Sequence, residues 1–387
     1  MRNKIAVFDC CRQGDKIWFS NLSFNSLMQM DLNTAKITVI GKFPDYGIEE
    51  RNLHRRVFLY GNRLYFIPRY GKTIDIYDIS ENNFKTIKMP EINTPIADAV
   101  KIEKEIWMFP ASTEDSVYVF HIDDRTVTPH TWLFDQINKS AADTNMLLSV
   151  SSVTYRDNLI WIGIYNKNLL YRIDVKKRML QEIQLSTDFH IKSIDAKGDK
   201  LWLTDAQYPR LDLLKNGKSD EYYAETMLQQ DSFSRVIENE KYRMVLPHYA
   251  AYILFSDINE KQTDKIPLPD WAYRCRMGTL LFAAEFMENI CIFVPFSLDC
   301  VLYFDMEEKI WSKKDYHIQN LSDTEIQEML KLNIEQQKYT GEMGEGIGWE
   351  DTLPVFMEKV QKQSGVRAKK DYTNVGDRIF KNASEIR

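Results

Sequence analysis

The sequence predicts an all-β fold made of seven repeated four-stranded units, and three observations support this prediction. A short sequence motif recurs along the chain, for example at residues 15–20 and 199–204. It consists of a polar turn, an apolar pair and two further strand residues. Its copies lie from 41 residues (Trp161 to Trp202) to 54 residues (Trp107 to Trp161) apart, which is the size of one such unit. In five copies an aspartate follows the central residue at one fixed distance, 13 residues.

The central residue of each copy, called its reference position below, is aromatic in five of the seven units. The seven reference positions are Trp18, Tyr65, Trp107, Trp161, Trp202, Met244 and Ile292. We expect the aromatic ones to be structural and to pack between neighbouring units. The aspartates at the fixed distance are Asp31, Asp78, Asp174, Asp257 and Asp305. Their repetition at one distance indicates turn formation after a strand rather than paired catalytic carboxylates.

Within each unit, short runs alternate between apolar and polar residues, as residues 73–78 do, and turn residues separate the runs. A single sheet of this kind buries only part of its two faces, so the sheets are expected to stack radially and close into a ring. The predicted architecture is a seven-bladed β-propeller over residues 1–317. Residues 5–8 give the first blade its own first strand, and closure of the ring by strand exchange is left open as an alternative.

The strand pattern stops after His317, and residues 318–387 are predicted to form a short α-helical C-terminal tail. Residues 322–325 have the capping-box pattern that begins a helix, and apolar residues follow at helical spacing. Two roles are open for this tail: packing on the propeller, or acting as an element for homo-oligomerisation or partner docking. The long spacing between the reference positions of the third and fourth units is explained by an insertion at residues 128–147. We expect this insertion to form a helical turn or a lid over one face.

Composition places the chain among globular proteins and narrows the function classes. Hydrophobic residues make up 44 % of the chain, enough for a large core, and the net charge of −6 argues against a nucleic-acid partner. Apolar runs are short, so we expect neither a membrane span nor a signal peptide. Five cysteines at irregular spacing indicate reduced thiols and a cytoplasmic protein. The histidines show no metal-ligand spacing, so neither a metal nor another cofactor is predicted.

The blade length and the aromatic reference position resemble those of β-propellers of the kelch-like and galactose-oxidase type, over about residues 1–315. The Gly-Gly pair of kelch repeats and the Trp-Asp dipeptide of WD40 repeats are absent. The chain also looks like poorly characterised bacterial propellers, some of which are expected beside polysaccharide-biosynthesis genes. The resemblance therefore implies the fold and an association with carbohydrates, while no family's ligands or catalytic residues can be placed on this sequence.

In a propeller, the loops that join the second and third strands share one face of the channel with the loops that lead into each first strand. This face is the usual ligand site, and here its loops carry arginine and aromatic residues in an acidic protein. Because arginine binds carboxylates and phosphates through two hydrogen bonds, we predict an anionic or glycan-like ligand at the channel mouth. The alternative is that these arginines bridge neighbouring blades. The predicted ligand-binding residues are Arg51, Arg55, Arg69, Tyr70, Arg210, Arg274 and Arg276.

The sequence contains no recognised catalytic motif. If chemistry takes place at the channel mouth, the candidate acid–base residues are His54, His248 and Tyr249. The sequence favours a non-catalytic binding or scaffold propeller that holds a protein partner, an anionic small molecule or a glycan. The alternative is an enzyme that acts there on a carbohydrate or a modified peptide by lyase- or hydrolase-type acid–base chemistry.

Overall fold

The structure is a seven-bladed β-propeller, as predicted. Each blade contains an antiparallel sheet whose four strands follow one another in chain order, and from blade one to blade six the first strands of successive blades contact one another around the channel. The structure, a computed structural model, describes residues 5–140, 148–185, 189–197, 200–215, 218–224, 232–248, 250–259, 263–272, 281, 283–294, 298 and 300–336.

The blades take up the chain in order, with one helix between the third and the fourth. Blades one to four contain β1 (Cys11–Gln13), β2 (Lys16–Ser20), β3 (Leu27–Asp31), β4 (Lys36–Gly41), β5 (His54–Tyr60), β6 (Arg63–Pro68), β7 (Thr73–Asp78), β8 (Asn83–Lys88), β9 (Ile96–Ile102), β10 (Glu105–Pro110), β11 (Val117–His121), β12 (Thr126–His130), the helix α1 (Thr131–Ser140), β13 (Val150–Arg156), β14 (Leu159–Ile164), β15 (Leu169–Asp174) and β16 (Met179–Gln184). Blades five to seven contain β17 (Ile191–Lys197), β18 (Lys200–Asp205), β19 (Arg210–Lys215), β20 (Lys218–Ala224), β21 (Phe233–Glu238), β22 (Tyr242–Pro247), β23 (Tyr252–Asp257), β24 (Asp264–Pro267), β25 (Ala283–Met287), β26 (Ile290–Val294), β27 (Cys300–Asp305) and β28 (Ile310–Asp315). The described part of the tail contains β29 (His317–Gln319) and α2 (Asp323–Gln336).

Every reference position lies on the second strand of its blade and is buried, with at most 8 % of the residue exposed. The apolar clusters that contain these residues combine neighbouring blades. Tyr65 packs with Met108 of blade three, and Trp202 packs with Val245 of blade six. The predicted structural role of the aromatic residues is confirmed, and the core of the protein lies between the blades.

The repeated aspartates cap the turns that follow the third strands. Asp31 accepts hydrogen bonds from the backbone N–H groups of Asn33 (3.1 Å) and Thr34 (2.9 Å). Equivalent bonds to N–H groups two or three residues further on are made by Asp78, Asp174, Asp257 and Asp305. The interpretation of these carboxylates as turn residues is confirmed.

The ring closes at the outer edge of blade one. This blade has its own first strand, but that strand is β1 at Cys11–Gln13 and not the predicted residues 5–8, which form no strand. The tail strand β29 adds to β4 in parallel, pairing His317 with Lys36. The helix α2 follows, and Ser322 and Glu325 form the predicted capping box, in which the Ser322 hydroxyl accepts the Glu325 N–H at 3.2 Å. Ile326, which is 1 % exposed, anchors α2 on the cluster of blades one and seven. The predicted helices after residue 336 lie outside the described residues.

The insertion after blade three forms the helix α1. Leu133, Phe134 and Ile137 are buried in the cluster between blades three and four, and the Asn138 side chain donates to the carbonyl of Thr113 at 2.9 Å. The expected helical turn is therefore present, and its apolar side chains fill the wedge between two blades. Residues 141–147 of the insertion lie outside the described part. Among the residues described, no helix is long and apolar enough to cross a bilayer.

Candidate functional site

A cavity of about 260 Å³ lies where the first strands of blades two to six begin. Five of these strands carry a one-residue β-bulge at the same place, and each unpaired residue lines the cavity. The bulge residues are Arg55, Ala97, Ser151, Lys192 and Ser234. A bulge redirects one side chain relative to regular strand alternation. In blades two to six, the bulge of the first strand therefore places one side chain per blade at the channel mouth.

The blades are joined around this channel by hydrogen bonds in which a backbone N–H of one blade donates to a side-chain oxygen of the preceding blade. The pairs are the Val57 N–H to Asp9 (3.1 Å), the Val153 N–H to Asp98 (2.9 Å), the Ile194 N–H to Ser152 (3.2 Å) and the Val236 N–H to Asp195 (2.8 Å). Each bond satisfies a backbone donor that has little access to water. These acceptors are therefore structural.

Arg56 extends the same network. Its guanidinium lies 2.6 Å from one oxygen of Asp98 and 3.6 Å from Asp9, so it joins blades one, two and three. Burial raises the pKa of Asp98, but the positive charges of Arg56 and Arg55 outweigh it and hold that pKa below its usual value. Arg56 thus bridges neighbouring blades, which is the alternative role considered for the arginines of this face.

Two other arginines form a cationic surface at the mouth. The guanidinium carbons of Arg55 and Arg69 lie 5.2 Å and 4.6 Å from the centre of the Phe8 ring. Arg55 also donates to the carbonyl of Ala97 (2.8 Å), and burial lowers its pKa to about 10, which leaves it charged at neutral pH. Tyr70 is 57 % exposed beside Arg69. The pair combines positive charge with aromatic surface.

Positive charge predominates among the described residues that line the cavity. The cations are Arg55, Arg56, Arg69, Lys192 and Arg235, and the carboxylates are Asp98 and Asp195. Both carboxylates already accept bonds within the inter-blade network. A protein of net charge −6 thus has a cavity with three more cations than anions, which focuses a positive field on the channel mouth.

His248 also lines this cavity, from the loop after β22. Its Nδ1 lies 3.2 Å from the Ser232 hydroxyl. Burial, with a smaller contribution from the charge of Lys192, lowers the pKa of His248 to about 3. The imidazole is therefore neutral at pH 7 and is a weak general base, because catalytic efficiency requires a pKa near the working pH.

The low pKa of His248 predicts a dependence of stability on pH. In the unfolded chain this histidine binds a proton below pH 6.5, whereas in the folded protein it stays neutral down to about pH 3. Lowering the pH from 6.5 to 4.5 should therefore favour the unfolded state through this residue by about 2 kcal/mol. Urea denaturation at a series of pH values should show that this contribution is lost in His248→Gln.

The exposed His317 on β29 offers a matched control, since His317→Gln should keep the wild-type pH dependence. If His248→Gln shows the same loss of stability on acidification as the wild type, the buried neutral state of His248 is wrong.

His54 does not face the channel. It is 3 % exposed between blades one and two, where its Nδ1 lies 2.8 Å from the Ser20 hydroxyl and its Nε2 lies 2.8 Å from Asp75. These are the residue types of a nucleophilic triad, but Ser20 is itself 7 % exposed. The void beside it measures about 10 Å³, room for no more than one water. The hydrogen bonds of His54 therefore hold blades one and two together. The prediction that His54 lies at the channel mouth does not agree with this buried position.

The structure places the other predicted residues in three groups. Arg55, Arg69 and His248 lie together at the cavity, with Tyr70 beside them. Arg210 is paired with Asp212 (3.0 Å) in blade five, and Arg51 is not among the residues that line the cavity. Tyr249, Arg274 and Arg276 lie outside the described residues.

Four charged residues of the cavity were not predicted from the sequence: Lys192, Arg235, Asp98 and Asp195. One signal could have found part of this set, because a polar residue stands nine positions before the reference position in most blades. The spacing holds from Asp9 to Trp18, Arg56 to Tyr65, Asp98 to Trp107, Ser152 to Trp161, Ser193 to Trp202 and Arg235 to Met244. In the part of the chain that the structure describes, no three His, Cys, Asp or Glu side chains are grouped so that they could hold a metal ion.

Comparisons with known proteins agree with this fold. No protein-family model matches the chain, and the comparison with curated proteins finds no match in sequence. Virginiamycin B lyase from Staphylococcus aureus superposes with a TM-score of 0.59 and 13 % identity, over 76 % of this chain and 92 % of that one. A streptogramin B lyase gives 0.60 and 12 %, over 81 % and 94 %. The WD40 repeats of RRP9 give 0.55 and 11 %, over 76 % and 88 %.

At such low identities the similarity shows the β-propeller fold alone. The structural neighbours include enzymes as well as a WD40 repeat protein. The narrower kelch-like type stays a prediction.

Proposed function

We propose that this protein is a non-catalytic binding propeller whose channel mouth holds an anionic group, carried by a small molecule, a glycan or a partner protein. The observation that carries the proposal is the charge of the cavity lining, where Arg56 and Arg235 are ion-paired with the two carboxylates and the charges of Arg55, Arg69 and Lys192 remain in excess. An anionic ligand would balance this charge at a site that is partly screened from water.

The geometry supports an oxyanion held between two sides of the mouth. Arg55 and Arg69 approach from blade two, and Lys192 approaches from blade five. The Nε of Arg55 is held by the Ala97 carbonyl, which fixes the direction of the guanidinium. The exposed ring of Tyr70 adds a surface on which the body of a sugar could stack. Phosphorylated, sulfated or uronic-acid ligands fit this combination.

Replacing Arg69 tests the proposal. Calorimetric titration should show that glucose 6-phosphate or glucuronate binds the wild-type protein while glucose does not. Arg69→Gln should weaken that binding about tenfold, the effect of losing one charged hydrogen bond. Added salt should weaken wild-type binding as well, because it screens exposed charges.

Arg210→Gln is the matched control, because Arg210 is bound to Asp212 within blade five and does not line the cavity. Equal losses of affinity in Arg69→Gln and Arg210→Gln, or equal affinity for glucose and its phosphate, would contradict an anion site at the mouth.

An enzyme acting at the same mouth is the second candidate function, and two observations favour it. His248 lines the cavity, and the fold resembles that of virginiamycin B lyase, whose catalytically inactive form was solved with quinupristin. Against it stands the pKa of His248, which burial lowers to about 3. Incubation with quinupristin followed by mass spectrometry separates the two functions: the binding proposal expects unchanged quinupristin, and a product that disappears in His248→Gln would establish the enzyme.

We retain two broader proposals. The tail remains a proposed element for oligomerisation or partner docking through the residues beyond α2. A cytoplasmic location also remains a proposal, which rests on the irregular spacing of the five cysteines in the sequence.

A further inference from the structure

A second cavity lies on the opposite face of the ring, between blades two and three, and measures about 420 Å³. The turns that join first to second strands and third to fourth strands form this face. The cavity has the size of a small-molecule site. Its main side chains are Tyr60, Arg63, Tyr65, Asp78, Asp123 and Arg125.

Arg125 occupies a position that recurs around the ring. In five blades the turn between the third and fourth strands has a residue in the left-handed conformation, four positions after the end of the third strand. These residues are Ala35 (φ 56°), Asn82 (φ 51°), Arg125 (φ 55°), Arg178 (φ 53°) and Lys309 (φ 57°). The two other cations at this position make contacts toward the preceding blade. Lys309 is ion-paired with Asp264 of blade six, and Arg178 lies 5.9 Å from the ring of Trp132 on α1.

Arg125 has no such partner among the described residues. The carboxylate that pairs with Lys309 belongs to Asp264, on the fourth strand of blade six. Asp264 lies opposite Phe255, and Phe255 stands two positions before the turn aspartate Asp257. The residue at the corresponding place of blade two, opposite Ile76, is Lys85, which cannot neutralise an arginine. The half-buried guanidinium of Arg125 therefore lies at the cavity without the carboxylate that its equivalent in blade seven has.

The carboxylates in the cavity are already occupied. Asp78 accepts bonds from Arg63 (2.9 Å) and from the Ser80 hydroxyl (2.7 Å), and Asp123 is paired with Lys104 (2.8 Å). With Lys104 counted, three cations stand against two carboxylates at this place, an excess of one positive charge. Tyr60, which is partly exposed, supplies aromatic surface beside it, while Tyr65 is only 2 % exposed and forms the base of the cavity.

We propose that this cavity binds a small aromatic anion, an aryl phosphate or aryl carboxylate, with the anionic group on Arg125 and the ring against Tyr60. Arginine supplies two parallel donors to such a group, and aromatic rings pair by offset or edge contacts. This site is independent of the channel mouth, which lies on the other face.

Arginine modification by phenylglyoxal, mapped by mass spectrometry, tests the proposal in the full-length protein with phenyl phosphate as the probe. Modification of Arg125 should slow about tenfold at a probe concentration that fills about nine-tenths of the sites. Arg178, which holds the same turn position, is the internal control and should react at an unchanged rate. Protection of Arg55 and Arg69 in the same experiment reports separately on the channel mouth.

Two further measurements complete the test. Tyr60→Leu should reduce the protection of Arg125 by phenyl phosphate while leaving that of Arg69 unchanged. Modification of Arg125 at the same rate with and without phenyl phosphate would overturn the proposal, whatever happens at Arg69. Equal protection by inorganic phosphate would overturn the aromatic specificity and indicate a general anion site.

Discussion

Asp98→Ala should lower the free energy of unfolding by about 3–5 kcal/mol, the cost of leaving one partner of a buried ion pair alone. The Asp98 side chain is 1 % exposed and joins three blades. It accepts Arg56 at 2.6 Å, the Val153 N–H at 2.9 Å and the Ser152 hydroxyl at 3.3 Å. Its removal leaves Arg56 with Asp9 alone, at 3.6 Å, and leaves a backbone donor unsatisfied. Urea denaturation at pH 7 measures the change.

Ser152→Ala is the matched control in the same network. It removes one neutral acceptor of the Ile194 N–H (3.2 Å) and should cost about 1 kcal/mol. An Asp98→Ala protein as stable as Ser152→Ala would show that the charged contacts around the channel do not hold the blades together.

Trp202→Ala should also destabilise the protein by about 3–5 kcal/mol, because it empties a large volume between two blades. Trp202 is fully buried, donates from its indole N–H to Glu238 (2.9 Å) and lies 4.1 Å from the guanidinium of Arg243. The indole covers the buried ion pair of Arg243 and Glu238, so its loss exposes charges as well as a cavity.

Trp132 on α1 provides the comparison, since it is half-buried and contacts Arg178 at 5.9 Å. Trp132→Ala should cost about 1 kcal/mol. Thermal unfolding of both variants measures the difference. Similar melting temperatures for the two would contradict the assignment of the reference positions to the inter-blade core.

The repeat made the fold predictable, because its signal is carried by residues whose burial is obligatory. The aromatic reference residues and the turn aspartates recur from blade to blade because each blade must fill the same wedge and end the same strand. Ring closure was harder to predict. Residues 317–319 have no pattern that distinguishes a parallel strand on blade one from the start of a tail, so the pairing of His317 with Lys36 depends on tertiary position alone.

The grouping of residues at the channel mouth was predictable in outline because topology fixes which loops share a face. Arg55, Arg69 and His248, which were assigned to this face from the sequence, line one cavity, and their binding of a ligand stays a prediction. Alternation within a strand could not distinguish His54 from Arg55, since the β-bulge between His54 and Arg56 changes which side chain faces the channel. Lys192 was missed for the same reason: it is the bulge residue of blade five, and its neighbours Ile191 and Ser193 carry no charge.

The central claim, an anion site at the channel mouth, is tested most directly by soaking crystals of the protein in tungstate and measuring anomalous scattering. Tungstate resembles sulfate and phosphate in shape and charge, and its tungsten atom is located without ambiguity. We predict a peak at the mouth within hydrogen-bonding distance of Arg69 or Lys192, and its loss in crystals of Arg69→Gln. A mouth without a peak, in crystals where tungstate binds at other arginines of the surface, would contradict the claim.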